Sequence, residues 1–336
     1  MRTLFVVLFS CLTSLPCWAG DTLNEIKARQ MLRCGVSIAA PGLAIQDSQG
    51  RWTGIEVDFC KAVAAAVLED TTKVTLQPLP IQGRFSSLIG KEIDLLARNT
   101  SQTIGRESQL GVLFAGPLFI TGQSFLIRAD WGVQDIDALN NATVCVLKGT
   151  THVQNLEELA ARRGLSFQPL VFDAGDKAWD AFVAERCTAI TEDATLLAAG
   201  RVLFSLQGPR LFLLPGFFSR ELVSLAVRQD DPRWLVTVRA VLSALITAEE
   251  IGLSGEMARQ PRGSSDSSEV RIFLHRTDAL ASALGMTPGW AARVIGAIGN
   301  YGELYDRNLG TKGPLQLERG PNRLVRDGGM LYAVPF

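Results

Sequence analysis

Short apolar runs alternate with helical repeats of apolar residues along most of the chain, which predicts an α/β architecture. Phe59, Val63 and Val67, for example, recur at the spacing of one helix face. The elements predicted before residue 100 are, in chain order, a helix at 21–31, a strand at 32–38, a helix at 56–68, a strand at 73–79, a short helix at 84–90 and a strand at 92–98. This order is typical of an open, mostly parallel sheet.

The pattern then repeats in a second unit. Its predicted elements are a strand at 124–129, a strand, turn and helix over 141–164, a strand at 167–172, a helix at 176–187, a strand-to-helix segment at 188–200, and strands at 212–216 and 222–228. The chain leaves the first unit near Ser124 and returns near Val223. We therefore expect two lobes, 20–123 plus 224–336 and 124–223, joined by two crossover strands.

The remainder of the chain is predicted to be mostly helical. Helical segments are expected at 232–252, 270–284 and 287–299, followed by an irregular, glycine-rich tail. The polar stretch at 259–269 is the best candidate for a mobile loop. Because ligands of open α/β sheets bind outside the carboxyl ends of strands, we expect a ligand site in the cleft between the lobes.

The N-terminus has the pattern of a secretory signal peptide. Arg2 precedes an apolar run at 3–15, Pro16 breaks that run, and Cys17 and Ala19 place small residues before a cut after Ala19. A transmembrane anchor is the alternative, but the run falls short of the ~20 residues that span a bilayer. The sequence therefore predicts a secreted protein with residues 1–19 removed.

The cysteines fit an oxidising compartment. Cleavage leaves four of the six, Cys34, Cys60, Cys145 and Cys187, which allow three pairings. We favour Cys34–Cys60 and Cys145–Cys187 because each closes within one half of the chain; four free buried thiols are the alternative. Two disulfides argue against a cytosolic enzyme.

Composition excludes several function classes. The formal net charge of the 336 residues is −1, so no basic excess points to nucleic acid or to an anionic membrane. The chain has only His152 and His275, which disfavours a multi-histidine metal site or a Ser-His-Asp triad. No nucleotide-binding glycine motif is present. Nothing in the sequence requires a metal or a cofactor.

The loop at 97–106, after a predicted strand, is the first candidate ligand loop. It offers Ser101, Thr103 and Arg106, and a guanidinium can hold a carboxylate through two parallel hydrogen bonds. Arg98 competes for the same role. An ordinary surface arginine is the alternative for either residue.

Two further loops lie at predicted helix starts. Gly149, Thr150 and Thr151 open a helix whose N-terminus would attract an anion, and Asp193 lies where a strand gives way to a helix and could accept from an ammonium group. Ordinary helix capping is the alternative for the threonines and for Asp193. Together, two anion-seeking sites and one cation-seeking site suit a zwitterion, with Phe85 as an apolar wall.

Several stretches resemble the periplasmic general L-amino-acid-binding proteins of ABC-type importers. They are LRCGVS (32–37), GIEVDFCKAVAAAV (54–67), RFSSLIGKEIDLLARNT (84–100), GQSFLI (122–127), VCVLKGTT (144–151), AITEDATLLAA (189–199), VIGAIGNYGELYDRNLG (294–310) and ERGPNRLVRDGGMLYAVP (318–335). They cover nearly the whole mature chain. The cysteine positions also match that family.

This resemblance implies a two-lobed type II binding fold in the periplasm that closes on one amino acid and delivers it to an inner-membrane ABC permease, as a monomer and without catalysis. It assigns the α-carboxylate to Arg106, with Ser101, Thr103 and the backbone at Asn99 on the same wall. It assigns second carboxylate contacts to Thr150 and Thr151, the ammonium to Asp193, and side-chain packing to Phe85. Because such a site binds the α-carboxylate and the ammonium of the ligand, it discriminates weakly between ligand side chains.

Three departures from the family pattern stand out. Gln102 replaces a tryptophan, Thr188 replaces an aspartate, and SRELVSLAVR (219–228) replaces a proline- and glycine-containing stretch at the second crossover. We therefore hypothesise a diverged paralogue with shifted specificity or altered closure.

Two other functions compete with transport. Secreted dehydratases that act on cyclohexadienyl amino acids share this fold, and they need an acid to protonate a leaving hydroxyl, for which Glu192 is the nearby candidate. A ligand-binding sensor subunit that docks a receptor is the third possibility. Turnover of prephenate or arogenate would identify a dehydratase. Capture of a permease would exclude a sensor subunit.

Overall fold

A computed structural model of the chain describes residues 21–204, 208, 210–260 and 267–336. The predicted signal peptide and the centre of the polar stretch at 259–269 lie outside these residues. None of the helices within the described ranges combines the length and the apolar character needed to cross a membrane.

The first unit follows the predicted order of elements. It consists of α1 (Thr22–Arg29), β1 (Leu32–Val36), β2 (Ile45–Gln46), β3 (Trp52–Thr53), α2 (Ile55–Leu68), β4 (Val74–Pro78), α3 (Arg84–Ile89), β5 (Leu95–Leu96), α4 (Ile104–Gln109) and β6 (Val112–Thr121).

The second unit repeats this alternation. It consists of β7 (Gln123–Arg128), β8 (Thr143–Leu147), α5 (His152–Arg163), β9 (Gln168–Phe172), α6 (Gly175–Val183), β10 (Ala189–Asp193), α7 (Ala194–Phe204) and β11 (Leu211–Leu213), with 3-10 turns at Ala129–Trp131 and Asp137–Leu139.

The chain then returns to the first unit and ends in helices. These elements are β12 (Glu221–Arg228), α8 (Pro232–Glu250), α9 (Gly255–Arg259), α10 (Ser268–Leu280), α11 (Trp290–Ile298) and α12 (Tyr301–Asn308), followed by 3-10 turns at Gly320–Asn322 and Val325–Asp327.

The described strands form two five-stranded sheets and one short hairpin of β2 with β3. The first sheet has the order β4-β1-β5-β12-β6 and the second β11-β7-β10-β8-β9. In each sheet four strands run one way, while β12 in the first and β7 in the second run against them. The sheets are therefore mixed but mostly parallel.

The connection between the sheets is tight at Gly122, which joins β6 to β7. A Cβ atom at Gly122 would lie 2.5 Å from the Cβ of Phe217 and 2.5 Å from the carbonyl oxygen of Ser219. Phe217 and Ser219 lead into β12, the second crossover. The two crossovers therefore pass so closely that only glycine fits at this point.

Apolar side chains cover both faces of each sheet, as the alternation of side chains along a strand requires. Leu95 and Leu96 point into clusters on opposite faces of the first sheet, and Phe125 and Leu126 do so in the second. Both predicted disulfides are confirmed: Cys34 bonds Cys60 and Cys145 bonds Cys187, each within one unit.

The prediction of an irregular tail is wrong for residues 301–308, which form α12. The side chain of Asn300 accepts from the amide of Glu303, and the side chain of Glu303 accepts from the amide of Asn300, which forms a capping box. The sequence pattern Asn-x-x-Glu, which is typical of a helix start, was overlooked because glycines surround this short segment. Strand β6, for which we predicted no element, pairs along its length with β12.

Candidate ligand-binding cleft

A small cavity of about 20 Å³ lies where the first sheet faces the second. Its walls combine the loops that follow β5 and β8, the end of β10, and the first turns of α3, α4, α5 and α7. The lining residues are Ile81, Arg84, Arg98, Asn99, Ser101, Arg106, Thr150, Thr151, His152, Glu192, Asp193 and Leu196. The cavity is therefore built mainly from polar and charged side chains.

Arg106 is fixed by its own loop. The hydroxyl of Thr103 caps α4 by accepting from the amide of Arg106 at 3.1 Å, and a guanidinium N–H of Arg106 donates to the carbonyl oxygen of Ser101 at 2.5 Å. The guanidinium also lies 5.6 Å from the ring centre of Phe85. Arg106 therefore enters the cavity from a helix start, with its position set by the loop and the ring.

The second crossover strand supports this loop directly. The amide of Gln102 donates to the carbonyl of Leu222 at 2.8 Å, and the amide of Ser224 donates to the carbonyl of Thr100 at 2.9 Å. The hydroxyl of Ser224 reaches the side-chain oxygen of Gln102 at 3.3 Å. Gln102 and Ser224, which both belong to stretches that we interpreted as departures from the family pattern, are thus in contact with each other.

The loop at 148–152 faces Arg106 from the second sheet. Gly149 adopts a φ of +75°, which permits the turn out of β8. The hydroxyl of Thr150 donates to the carbonyl of Leu147 at 2.7 Å and accepts from the amide of His152 at 3.2 Å. The hydroxyl of Thr151 donates to Glu221 Oε1 at 3.0 Å, so a buried acid on β12 holds the start of α5.

Asp193 has two functions in this structure. Its Oδ1 accepts from the amide of Leu196 at 3.0 Å, which is a helix cap for α7, and its Oδ2 accepts from Asn99 Nδ2 at 2.7 Å. The residue is 3% exposed, and burial raises the pKa of its carboxyl to about 6. It is thus a capping residue that also presents a carboxylate to the cavity.

Six of the eight predicted ligand residues line the cavity: Asn99, Ser101, Arg106, Thr150, Thr151 and Asp193. Thr103 and Phe85 instead lie behind Arg106, the first as its helix cap and the second beneath its guanidinium. The structure thus brings three separate loops of the sequence to one place.

Sequence reasoning did not single out Arg84 or His152 as ligand residues, although both line the cavity and are buried. Arg98 is also there, and its Nε donates to the carbonyl of Leu79 at 2.7 Å. Arg84 gave a usable signal, because it directly precedes Phe85. His152 gave none beyond its position at the start of a helix.

Glu192 is among the residues that line the cavity, and its carboxyl also hydrogen-bonds the side chain of Trp179 on α6. Burial, and then the neighbouring charge of Asp193, raise the pKa of its carboxyl to about 8. Glu192 is therefore a buried, protonated acid near neutral pH. Within the described ranges, no cluster of three metal-binding side chains occurs.

The model of the bacterial extracellular solute-binding proteins, family 3, matches residues 32–253, which contain both sheets and the whole cavity. The chain belongs to this family. Among its relatives is the general L-amino acid-binding periplasmic protein AapJ of Rhizobium johnstonii. The two are 38% identical over 319 residues, which cover 94% of this chain and 93% of AapJ.

Solved structures of binding proteins are similar as well. An ABC transporter periplasmic binding protein from Brucella ovis with glutathione bound has a TM-score of 0.89 and 36% identity, over 94% of this chain and 99% of that one. An ancestral amino acid-binding protein, AncCDT-1, described as a precursor of cyclohexadienyl dehydratase, has a TM-score of 0.55 and 25% identity, over 69% of this chain and 96% of that one. This family 3 protein therefore has the two-lobed type II fold.

Proposed function

We propose that this protein captures a free L-amino acid in the cleft and delivers it to an inner-membrane ABC permease from the periplasm. The observation that carries the proposal is the placement of Arg106 and Asp193 on opposite walls of one cavity, each positioned by its own loop. A zwitterion presents an anion to the first and a cation to the second. The amino-acid ligand of the relative from Rhizobium johnstonii supports the same assignment.

In this proposal Arg106 takes the α-carboxylate through its fork of N–H donors. Ser101, Thr150 and Thr151 add polar contacts on either side, and Asp193 accepts from the ammonium. Because these groups come from both lobes, only the closed cleft presents all of them at once. Ligand binding would thereby favour closure and produce the form that a permease recognises.

A thermal-shift screen of the oxidised protein against the twenty L-amino acids tests this proposal. A ligand at 100–1,000 times its Kd should add ~2.7–4.1 kcal/mol to the free energy of unfolding. The best ligand is then titrated by calorimetry against wild type, Arg106→Gln and the control Arg51→Gln, whose arginine is on the surface. We expect loss of binding in Arg106→Gln alone; no stabilisation by any amino acid would contradict the proposal.

A dehydratase is the second candidate, because Glu192 lines the cavity and burial raises the pKa of its carboxyl. In that reaction Glu192 would give its proton to the ring hydroxyl, the C–O bond would break to release water, and loss of CO₂ would supply the electron pair that completes the aromatic ring. Incubation with prephenate or arogenate tests it. Formation of phenylpyruvate or phenylalanine that Glu192→Gln abolishes would establish the enzyme.

A further inference from the structure

The cavity contains more positive charge than one α-carboxylate needs. Three arginines, Arg84, Arg98 and Arg106, line it together with His152. Two of them have acids close by: Glu56 and Asp193 lie near Arg98, and Glu221 lies near Arg106. Arg84 is different, because the charges that act on it are those of Arg106 and Arg98, which have the same sign.

Arg84 is also incompletely bonded. It is 3% exposed, and its terminal nitrogens donate to the carbonyl oxygens of Ile81 at 2.5 Å and, across the cleft, of Gly149 at 3.4 Å. Its Nε is buried and has no hydrogen-bond partner among the described residues. A buried cation without a counter-charge is costly, so a site that keeps one is arranged for an anion from outside.

His152 is another residue of the cavity that has an unpartnered polar atom within the described ranges. It is 5% exposed, lines the same cavity, and its Nδ1 has no partner within the described part of the chain. Its main-chain groups are already used, because the amide donates to Thr150 and the carbonyl accepts from Gln123 Nε2 at 3.2 Å. The ring is therefore held at the start of α5 while one ring nitrogen remains available to a ligand.

The ring of Phe85 places Arg84 beside the carboxylate clamp. The guanidinium of Arg84 lies 4.7 Å from the ring centre of Phe85 and that of Arg106 lies 5.6 Å from it. Two guanidiniums on one ring can hold two anionic groups that belong to the same small molecule.

We propose that Arg84 and His152 form a second anion subsite in the cleft, so that the preferred ligands carry a carboxylate besides the α-carboxylate. This inference rests on the proposed function and narrows it to dicarboxylic ligands. The second carboxylate could be the side chain of glutamate or aspartate, or the terminal carboxylate of a γ-glutamyl peptide. Arg84 would also repel lysine and arginine as ligands.

Calorimetry of the wild-type protein with L-glutamate and L-glutamine tests the subsite, because these ligands have the same shape and differ in the side-chain charge. Both titrations are run at pH 7, where the side chain of glutamate is ionised. We expect L-glutamate to bind at least tenfold more tightly than L-glutamine. Equal binding, or tighter binding of the amide, would overturn the inference without a variant being needed.

The second arm uses Arg84→Gln, with Arg51→Gln as the control and Tm as the check on folding. We expect the glutamate-to-glutamine affinity ratio to fall at least tenfold in Arg84→Gln and to stay unchanged in Arg51→Gln. An equal loss of affinity for both ligands would show that Arg84 binds the α-carboxylate. That result would overturn the subsite, while the proposed function would stand. Absence of binding by any amino acid in wild type would overturn both.

A third titration, with glutathione, separates the two sources of the second carboxylate. If the side chain of a free amino acid is the source, L-glutamate binds more tightly than glutathione in wild type, and His152→Ala lowers the affinity for L-glutamate. If a peptide carboxylate is the source, glutathione binds more tightly and shows the larger loss in Arg84→Gln. Either result supports the subsite; unchanged affinities for both ligands in Arg84→Gln would contradict it.

Discussion

Asn99 Nδ2 donates to Asp193 Oδ2 at 2.7 Å, and this bond joins the loop after β5 in one sheet to the end of β10 in the other. The second oxygen of Asp193 caps α7, and the side-chain oxygen of Asn99 is buried without a partner among the described residues. The amide oxygen of Asn99 and the carboxylate of Asp193 are thus two acceptors side by side. A ligand ammonium group can use both.

The first prediction separates the charge of Asp193 from its capping bond. Asp193→Asn keeps an oxygen that can cap α7 but removes the negative charge that pairs with an ammonium. A charge-assisted hydrogen bond contributes ~1.5–3 kcal/mol, so we expect amino-acid affinity to fall about tenfold to a hundredfold while Tm stays nearly constant. Calorimetry with thermal denaturation checks both quantities. An unchanged Kd would show that Asp193 does not bind the ligand.

The second prediction concerns pH. The pKa of the Asp193 carboxyl is raised to about 6, and only its ionised form pairs with an ammonium. Affinity for a neutral amino acid should therefore be highest above pH 7 and fall as the pH drops through 6. Below the pKa the loss approaches tenfold per pH unit.

The control for this prediction is Asp193→Asn, which should bind weakly with no such pH dependence. Titrations between pH 5 and 8 test it. A Kd of wild type that stays constant over this range would show that protonation of Asp193 does not control binding.

The pattern of apolar residues predicted the first sheet well, because strands and amphipathic helices have distinct periods. It failed for β6, since that strand contains Gly116 and Pro117, which interrupt the pattern of a strand. The meeting of three segments of the sequence at one cavity could be predicted because each lies at the end of a strand. His152 could not be predicted, and Arg84 only as the neighbour of Phe85, because their missing hydrogen-bond partners appear only in three dimensions.

The third prediction concerns the second crossover. Leu222 and Ser224 hold the backbone of Gln102 and Thr100, and thus the loop that presents Ser101. Placing a proline and a glycine at this crossover, in the double variant Leu222→Pro with Ser224→Gly, removes the contact of Ser224 with Gln102 and alters β12. We expect the affinity for the best amino acid to change by more than about threefold, a change of ~0.7 kcal/mol in binding free energy, because β12 sets the position of the loop that presents Ser101.

Calorimetry over several amino acids measures this change, and Ser224→Ala serves as the matched control that removes only the hydroxyl. Identical affinity and selectivity in the double variant would contradict the hypothesis that the crossover departures shift ligand recognition.

The fourth prediction concerns the disulfides. Cys34–Cys60 closes 26 residues and Cys145–Cys187 closes 42, so loop entropy predicts stabilisation of about 3.5 and about 4 kcal/mol. Cys145→Ala with Cys187→Ala should lower the free energy of unfolding by this order and should lower Tm. Denaturant unfolding of oxidised, reduced and variant protein measures it; a reduced protein as stable as the oxidised one would contradict the loop-entropy account.

The last prediction concerns the C-terminal segment. The side chain of Asn322 accepts from the amide of Ile120 at 2.6 Å and donates to the carbonyl of Ile120 at 2.8 Å. Ile120 lies on β6, the edge strand of the first sheet, just before the crossover at Gly122. The amide of Asn322 therefore takes the place that a neighbouring strand would fill, and it satisfies two buried backbone groups.

Asn322→Ala leaves both backbone groups of Ile120 without a partner, at a cost of ~1–3 kcal/mol for each buried unsatisfied group. We expect a Tm lower by several degrees with amino-acid affinity little changed, because Asn322 does not line the cavity. The matched control is Arg323→Ala, at the next position, whose side chain is exposed. Equal Tm values for Asn322→Ala and wild type would show that solvent replaces the amide and that the C-terminal segment does not stabilise the edge of the first sheet.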